Sequence, residues 1–398
     1  MSNKLKTFPG QNLESETDSV LSEIERLPSV RKLVAHLGIH MKPHLEAPTK
    51  LVVATEGTIV RELSTASLGC GLGLVKTSLK KEEVTESLAR KVFDYLENDV
   101  SPGQSKARRF SDWLGLTHQN SHKYYPEQDK LKNILNVESK YLPRTVLNNG
   151  PYEIGYEWRD NHFIEFQTVE KIFDQEAADK WGLGTGAVVI MYHQQGGHIP
   201  YYLGRYMSLR KKFTLRDERS MILPKILFHF SNLKIWTWPR RIWYYFFKHK
   251  FLEIPVDSRE GKRLWETIVA AQNYAHTAHS TQVDRISNAL SVTGLNSHLE
   301  ILSQTLHTSI TKENLENKEF IIHRNGVTSA GVGEPVIIAG KQNSHSYVCI
   351  GMSGVADYLF SSPHTLGQTD TDKAIKDLER AGVLKLVATL SPISSHKT

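Results

Sequence analysis

Cysteine, long apolar runs and an apolar leader are what this sequence has least of. Cys70 and Cys349 are its only two cysteines among 398 residues, so we expect no disulfide scaffold and a reducing compartment. No run of 18 apolar residues occurs, and no transmembrane helix is therefore predicted. The first residues, MSNKLKTFPGQNLESETDS, lack the apolar core of a signal peptide. These absences together predict a cytoplasmic protein that does not span a membrane.

Compact metal-binding motifs are also missing, because the chain has no CxxC pair and no HExxH sequence. Its eighteen histidines are scattered, and a lone histidine is usually a surface residue or a hydrogen-bonded core residue. Three have a more informative setting: His162 opens the strand-like NHFIEF, His193 ends the apolar run AVVIMYH, and His364 precedes a helix start. Cys70 lies between glycines in LGCGLG, where the backbone can approach a ligand closely.

The distribution of apolar residues predicts a mixed α/β protein of the α+β class, and 398 residues are enough for one large domain or two ordinary ones. The spacing of apolar residues over 18–37 predicts a helix that Pro28 divides into two pieces. Further helices are predicted over residues 81–97, 106–114, 265–288 and 371–381. Strands are predicted over 50–60, 161–170 and 187–193, and in the Gly-punctuated region from residue 320 onward.

One segment, residues 205–250, differs from the rest and reads as an insertion within this domain. It carries twelve Lys or Arg residues, two acidic residues and eleven aromatic residues, so its net charge of +10 exceeds the +6 of the whole chain. Cations can neutralise phosphates and exposed rings can stack on bases. The alternatives are a helical insertion with its rings in the core, or a surface for a membrane or partner protein.

Several motifs, taken in order, resemble the RtcB family of RNA ligases. NHFIE at residues 161–165 matches the strand motif that carries a metal histidine in that family. Residues 323–351, HRNGVTSAGVGEPVIIAGKQNSHSYVCIG, resemble its block around HRKGAT and PGSMG-x-x-SY. SPHTLGQ holds His364 where the family has HGAGR, and Lys397 stands five residues after Pro392, at the offset of the family's terminal lysine. The resemblance covers most of the chain and implies a single RtcB-like catalytic domain over residues 1–398. The fold it implies has central mixed β-sheets and surrounding helices around a buried metal site.

What the resemblance implies is an RNA ligase that acts in tRNA splicing or RNA repair. Such an enzyme joins an RNA 2′,3′-cyclic phosphate or 3′-phosphate end to a 5′-hydroxyl end, using GTP and one or two Mn²⁺ ions. A histidine accepts GMP before the nucleotide passes to the RNA 3′-phosphate, and imidazole is a suitable nucleophile for that step. RNA and GTP are the partners implied, and a protein activator is a further candidate. The alternatives are a metal-dependent enzyme of the same fold with altered chemistry and a non-catalytic RNA-binding protein.

Carried over by position, the resemblance assigns site residues. His364 matches the histidine that accepts GMP. The residues that match metal ligands are Cys70, His162, His193 and His307. The residues that match nucleotide contacts are Asn161, Glu165, Ser346 and Lys397, with Ser346 and Lys397 at guanine. Cys349, in the apolar stretch YVCIG, is interpreted as a core residue.

The sequence also departs from the family pattern at its acidic and basic positions. Ser67 stands where the family has an aspartate three residues before the metal cysteine, so one metal ion is expected to bind more weakly or not at all. HGAGR has become HTLGQ, with Gln368 in place of an arginine that could bind a phosphate through two hydrogen bonds. Thr308 follows His307 where the family has asparagine, and Lys341 lies in the rewritten PGSMG block as a candidate replacement cation.

Overall fold

The computed structural model describes the chain in several ranges. These are residues 4–43, 45–64, 68–98, 162–197, 199–200, 203–204, 223, 225–226, 229–230, 235–247, 250–341, 344–366 and 371–397. The predicted helix over 106–114, most of segment 205–250, and the residues Ser67, Asn161 and Gln368 lie outside them. Within the described ranges, no helix has the length and apolar composition that crossing a bilayer requires.

Helices and strands are interspersed along the chain, as the mixed α/β prediction requires. The helices are α1 (Ser15–Glu25), α2 (Glu86–Asn98), α3 (Gln175–Lys180), α4 (Trp238–Phe246), α5 (Arg259–Val292) and α6 (Thr371–Arg380). The strands are β1 (Leu5–Lys6), β2 (Val30–His40), β3 (Thr49–Thr55), β4 (Thr58–Val60), β5 (Gly71–Lys80), β6 (Phe163–Ile172), β7 (Ala187–Gln194), β8 (Glu253–Pro255), β9 (Leu299–Leu306), β10 (Thr308–Leu315), β11 (Lys318–Asn325), β12 (Val327–Ser329), β13 (Pro335–Ile338), β14 (Ser346–Gly351), β15 (Ser361–Pro363) and β16 (Leu384–Lys397).

Two large sheets form the frame of the molecule. One has five strands in the order β1-β2-β3-β11-β10, and the other has seven in the order β13-β14-β16-β6-β7-β5-β9. The pair β1–β2 is parallel, whereas the other pairs of these two sheets are antiparallel. Strands β9 and β10 are separated only by His307, so the chain passes directly from the larger sheet to the smaller one. Strands β12 and β15 form a separate, antiparallel two-stranded sheet.

The second helical piece predicted for residues 29–37 is wrong. These residues belong to β2, which is hydrogen-bonded to β1 on one side and to β3 on the other. Leu33, Val34 and Ala35 are fully buried there. A strand with partners on both sides buries apolar residues in succession, and such a run is compatible with helical spacing as well. Tertiary pairing, which local periodicity does not report, decided the outcome.

The predicted helix over residues 265–288 is confirmed and is longer, because α5 extends from Arg259 to Val292. Its first turn is capped by Ser258, whose hydroxyl accepts a hydrogen bond from the Gly261 amide. One side of this helix packs beside β4 and β8 in a core with Ile254, Leu264 and Ile268. The helix therefore packs against β8, the strand that directly follows segment 205–250.

Helix α4 is fixed to α5 by a buried cluster of charges. Glu260 accepts hydrogen bonds from Arg241 at 3.1 Å, from Arg263 at 2.9 Å and from the hydroxyl of Tyr245 at 2.6 Å. The Arg241 and Tyr245 side chains are at most 1% exposed. The part of segment 205–250 that forms α4 is thus docked on the domain through its polar residues.

We expect Glu260→Gln to lower the free energy of unfolding by about 3–5 kcal/mol, because it leaves two buried guanidinium groups without the carboxylate between them. Urea unfolding followed by circular dichroism measures the change. Glu266→Gln is the matched control, since Glu266 is an exposed residue of the same helix. Equal stability of the two variants would contradict a structural role for the cluster.

Candidate active site

Four of the predicted ligands come together where the strands of the larger sheet end. The Cys70 Sγ atom lies 3.5 Å from His162 Nε2 and 3.4 Å from His193 Nε2. His193 Nε2 is in turn 2.9 Å from His307 Nε2. All four side chains are buried, with exposed fractions of 3–7%. Side chains up to 237 residues apart in the sequence thus lie next to one another.

The register of the sheet explains why these side chains meet. In the order β6-β7-β5-β9, Phe163 is paired with His193, and Gly71 is paired with both Gln194 and Leu306. Each ligand therefore lies at, or one residue beyond, the same end of four adjacent strands. A Cβ atom at Gly71 would lie 2.6 Å from the Thr305 carbonyl oxygen, so a glycine is required beside Cys70 for the strands to approach this closely.

The donor set fits a divalent metal ion. Metal–nitrogen and metal–sulfur bonds of about 2.0–2.3 Å around a tetrahedral ion place neighbouring ligand atoms about 3.3–3.6 Å apart. The sulfur–nitrogen distances around Cys70 fall in that range, and the atoms of Cys70, His193 and His307 all lie within 4.8 Å of one another. A thiolate with imidazoles suits manganese, zinc or a related transition metal better than magnesium.

Burial keeps Cys70 and His307 uncharged before a metal binds. Desolvation raises the pKa of the Cys70 thiol to about 12. Desolvation, with the neighbouring histidines, holds the pKa of His307 well below its ordinary value. The imidazole of His307 is therefore neutral and ready to ligate at pH 7, whereas Cys70 must lose its proton to a bound metal ion.

His364 is stacked on this cluster. Its ring is 3.8 Å from that of His307, centroid to centroid, and the two planes are within 7° of parallel. The Nδ1 atom lies 2.7 Å from the carbonyl oxygen of Gly326. A carbonyl oxygen only accepts hydrogen bonds, so Nδ1 carries the proton and Nε2 carries the lone pair. Burial lowers the pKa of His364 to about 3, which leaves that lone pair free of a second proton at neutral pH.

The position of His364 follows from the pairing of β12 with β15. Val327 is paired with Pro363, so Gly326 and His364 face each other at the next position. Arg324 supports the preceding turn by donating hydrogen bonds to Ser361 Oγ and to the Leu359 carbonyl oxygen. Leu359 has a left-handed backbone conformation, with φ of 55°. Arg324 is itself paired with the Glu313 carboxylate of β10.

A second polar group lies on β6 and β14. Gln167 donates a hydrogen bond to the Glu165 carboxylate and another to the Ser346 hydroxyl at 3.0 Å. The Ser346 hydroxyl oxygen also accepts one from the Gly340 amide. Burial raises the pKa of Glu165 to about 7. Glu165 and Ser346, far apart in sequence, are therefore connected through Gln167, which the sequence did not single out.

The two remaining nucleotide positions are only partly described. The backbone of Lys397 is paired with Phe163, and Ser395 is paired with Glu165, so β16 runs along the NHFIE strand. Asn161 lies outside the described residues. Ser67 and Gln368, where the acidic ligand and the arginine of the family pattern are replaced, lie outside them as well. Lys341 is described and its side chain is exposed, and Cys349 is fully buried in the core as predicted.

Sequence reasoning missed a buried lysine next to these residues. Lys50 is 2% exposed and is the second residue of β3, whose seven residues are all buried; its backbone is left-handed, φ 67°. Its positive charge and that of Lys42 contribute to the lowered pKa of His364. The sequence contained a partial indication of this lysine, since a charged residue directly before the apolar run LVVAT is unusual for a buried strand. Nothing in the sequence indicated that the side chain is buried.

The described part of segment 205–250 has exposed aromatic rings as well as buried ones. Trp236, Trp243 and Phe247 are exposed to 68%, 55% and 52%, whereas Tyr245 of the same helix is fully buried. The Arg240 guanidinium contacts the Tyr244 hydroxyl at 3.1 Å and lies over its ring. Within the described part of the segment, some rings thus pack in the core and others lie at the surface, and the nucleic-acid interpretation stays a prediction.

Comparison with known proteins gives one consistent answer. The family model described as tRNA-splicing ligase RtcB matches residues 23–377. A relative from Thermococcus kodakarensis, named tRNA-splicing ligase RtcB, is 23% identical over 357 residues, covering 81% of this chain and 69% of its own length. Relatives of the same name from Pyrococcus horikoshii and Aeropyrum pernix are 22% and 24% identical, and the aligned regions cover 36% and 65% of their lengths. The chain thus spans from about a third to about two thirds of these relatives.

We expect the protein to bind one Mn²⁺ or Zn²⁺ ion at this cluster with release of the Cys70 proton. Titration calorimetry at pH 7 in two buffers of different ionisation enthalpy counts the protons released. Cys70→Ser should bind more weakly and release one proton fewer per ion, because serine stays protonated. Cys349→Ala, which removes the other thiol, should match the parent protein. Identical proton release by the parent and Cys70→Ser would show that the thiolate is not a ligand.

Proposed function

This chain belongs to the RtcB family, and on that basis we propose that it is an RNA ligase that works through a histidine–GMP intermediate. It joins an RNA 2′,3′-cyclic phosphate or 3′-phosphate end to a 5′-hydroxyl end, with tRNA halves or broken RNAs as substrates. The observation that carries the proposal is the geometry of His364. Its Nδ1–H is fixed by the Gly326 carbonyl, and its ring is stacked on a candidate metal ligand, His307.

In the first step, the Nε2 lone pair of His364 forms a bond to the α-phosphorus of GTP. The bond from that phosphorus to the oxygen bridging to the β-phosphate breaks, and pyrophosphate leaves with the electron pair. No proton has to leave the ring, because Nε2 carries none beforehand. The Gly326 carbonyl oxygen keeps its hydrogen bond to Nδ1–H and stabilises the positive charge that develops on the imidazole.

Cys70, His162, His193 and His307 would hold the metal ion beside this histidine. A bound Mn²⁺ ion neutralises phosphate charge and stabilises the transferring phosphoryl group. The burial of all four side chains excludes water from the face of His364 that is stacked on His307. Exclusion of water protects the activated nucleotide from hydrolysis.

The hydrogen-bonding groups of guanine match the cluster of polar side chains around Glu165. The N1–H and amino groups of guanine are hydrogen-bond donors, and the Glu165 carboxylate is a buried acceptor next to Ser346 and Gln167. Lys397, at the end of the neighbouring strand, would donate to the guanine O6 oxygen, and Asn161 would contact the phosphate. Burial raises the pKa of Glu165 to about 7, so hydrogen bonds from guanine would favour its ionised form.

Two further transfers complete the reaction. An oxygen of the RNA 3′-phosphate, formed by hydrolysis where the end is cyclic, attacks the phosphorus of the histidine–GMP. The nitrogen–phosphorus bond breaks, and His364 Nε2 recovers its lone pair. The 5′-hydroxyl oxygen of the second RNA then attacks the activated 3′-phosphorus. GMP leaves, the hydroxyl proton is released, and a phosphodiester joins the two RNAs.

We expect the protein to become labelled when it is incubated with α-³²P-GTP and Mn²⁺. The label should be lost in acid, because a nitrogen–phosphorus bond is labile there. His364→Ala should abolish labelling, since it removes the nucleophile. His298→Ala, which removes an exposed histidine far from the cluster, is the matched control. Gel autoradiography measures the adduct, and a parent protein that never labels under any divalent metal would refute the proposal.

The same preparation distinguishes the alternatives. Metal retained after desalting, without a GMP adduct, would identify an enzyme of the same fold with different chemistry. Absence of both metal and adduct, with RNA binding intact, would identify a non-catalytic RNA-binding protein. Elemental analysis of the desalted protein separates these two outcomes.

We further propose that the exposed aromatic rings in α4 and directly beside it form the surface that contacts RNA. Trp236, Trp243 and Phe247 are large exposed rings within a segment of net charge +10. Rings stack on bases while cations neutralise phosphates, so the combination suits single-stranded RNA ends.

Replacing both Trp236 and Trp243 by alanine should weaken RNA binding, because each stacked base contributes about 1–3 kcal/mol. Fluorescence anisotropy with a short single-stranded RNA measures the dissociation constant. Phe173→Ala is the control, since Phe173 is 49% exposed on the loop before α3. Unchanged affinity in the double variant, alongside an active protein, would place the RNA elsewhere.

A further inference from the structure

The register around Gly326 places both Lys50 and His364 next to this glycine. Asn325 is paired with Leu51, so Gly326 faces Lys50 at the next position. Val327 is paired with Pro363, so Gly326 also faces His364. A Cβ atom at Gly326 would lie 3.0 Å from the Lys50 amide nitrogen. The backbones of Lys50 and His364 therefore both lie beside Gly326.

The Lys50 ammonium group is buried without a balancing contact. Its side chain belongs to a residue that is 2% exposed, and Nζ has no hydrogen-bond partner among the residues that the structure describes. Burial and the charge of Lys42 lower its pKa to about 8, so it is mostly charged at pH 7. A buried cation without a partner is costly to a fold, and a ligand that supplies the anion removes that cost.

From this placement we propose that Lys50 Nζ binds a phosphate group beside His364, in place of the arginine that the HTLGQ sequence lacks. The inference deepens the proposed ligase function by naming the residue that holds the reacting anion. Lys42, which is exposed, and Lys50 both lower the pKa of His364 electrostatically. The positive charges of both lysines therefore act on the imidazole that would attack phosphorus. Lys341, the replacement cation suggested by the sequence, is exposed instead.

The anion could be the triphosphate of GTP or the 3′-phosphate of the RNA, and both offer the same oxygen acceptors. Lysine binds either one as a point charge. Lys50→Met tests the role, because methionine has a similar length and no charge. Lys341→Met is the matched control, and Lys50→Arg keeps the charge. The probes are inorganic pyrophosphate, GTP, and one short RNA that ends in either a 3′-phosphate or a 3′-hydroxyl.

We expect Lys50→Met to weaken pyrophosphate binding in calorimetry about ten- to a hundredfold, the range for a lost charged hydrogen bond. Lys341→Met and Lys50→Arg should bind within about twofold of the parent protein. A matching loss for GTP assigns Lys50 to the triphosphate. A loss of the preference for the 3′-phosphate RNA over the 3′-hydroxyl RNA assigns it to the RNA end. Either result supports the proposal.

Thermal unfolding without any anion supplies a readout that a merely structural lysine would not give. Removing an uncompensated buried charge should raise the melting temperature of Lys50→Met above that of the parent, and pyrophosphate should then stabilise only the parent. A variant that unfolds earlier or fails to fold would identify Lys50 as structural and overturn the proposal. Unchanged affinity for all probes would overturn it too. None of these measurements needs a GMP adduct, so failure of the ligase proposal remains distinguishable.

Discussion

The hydrogen bond from His364 Nδ1 to the Gly326 carbonyl is the contact on which the candidate chemistry depends. It fixes the tautomer, the direction of the ring and the location of the lone pair through a single acceptor. That acceptor is available because Gly326 has a left-handed backbone, φ 73°, and lies too close to Thr49 for a side chain to fit. Much of the fold around the site can be understood as holding this glycine between β3 and β15.

Arg324 connects the segment around Gly326 and His364 to neighbouring strands. It is the residue two before Gly326, and it connects β11 to the turn that delivers His364 and to the Glu313 carboxylate on β10. A charged residue that is 2% exposed keeps its place only when its donors are satisfied. Because the same guanidinium contacts three elements, the stacking of His364 on His307 depends on strands of the smaller sheet as well as the larger one.

The sequence predicted several helices and strands of the fold correctly. Helices α5 and α6 and strands β6 and β7 lie where they were predicted, whereas the strand at 30–40 was mistaken for a helix because its run of buried residues also fits helical spacing. Cys70, His162, His193, His307 and His364 were found through resemblance, since no spacing in the chain indicates that they meet. Lys50 and Gln167 were missed because their importance comes from pairing across strands, which one sequence does not encode locally.

The departures from the family pattern, taken together with Lys50, make the net charge of the candidate site more positive. Ser67 stands for an acidic residue, so a metal ion held by one thiolate and three neutral imidazoles would keep a net positive charge. Gln368 removes a cation of the family pattern, but Lys50 adds a buried one beside Gly326. Coulomb attraction in a buried site is stronger than at the surface. The proposed site would therefore favour phosphate at the nucleophile and would hold a metal ion with fewer negative charges than the family pattern provides.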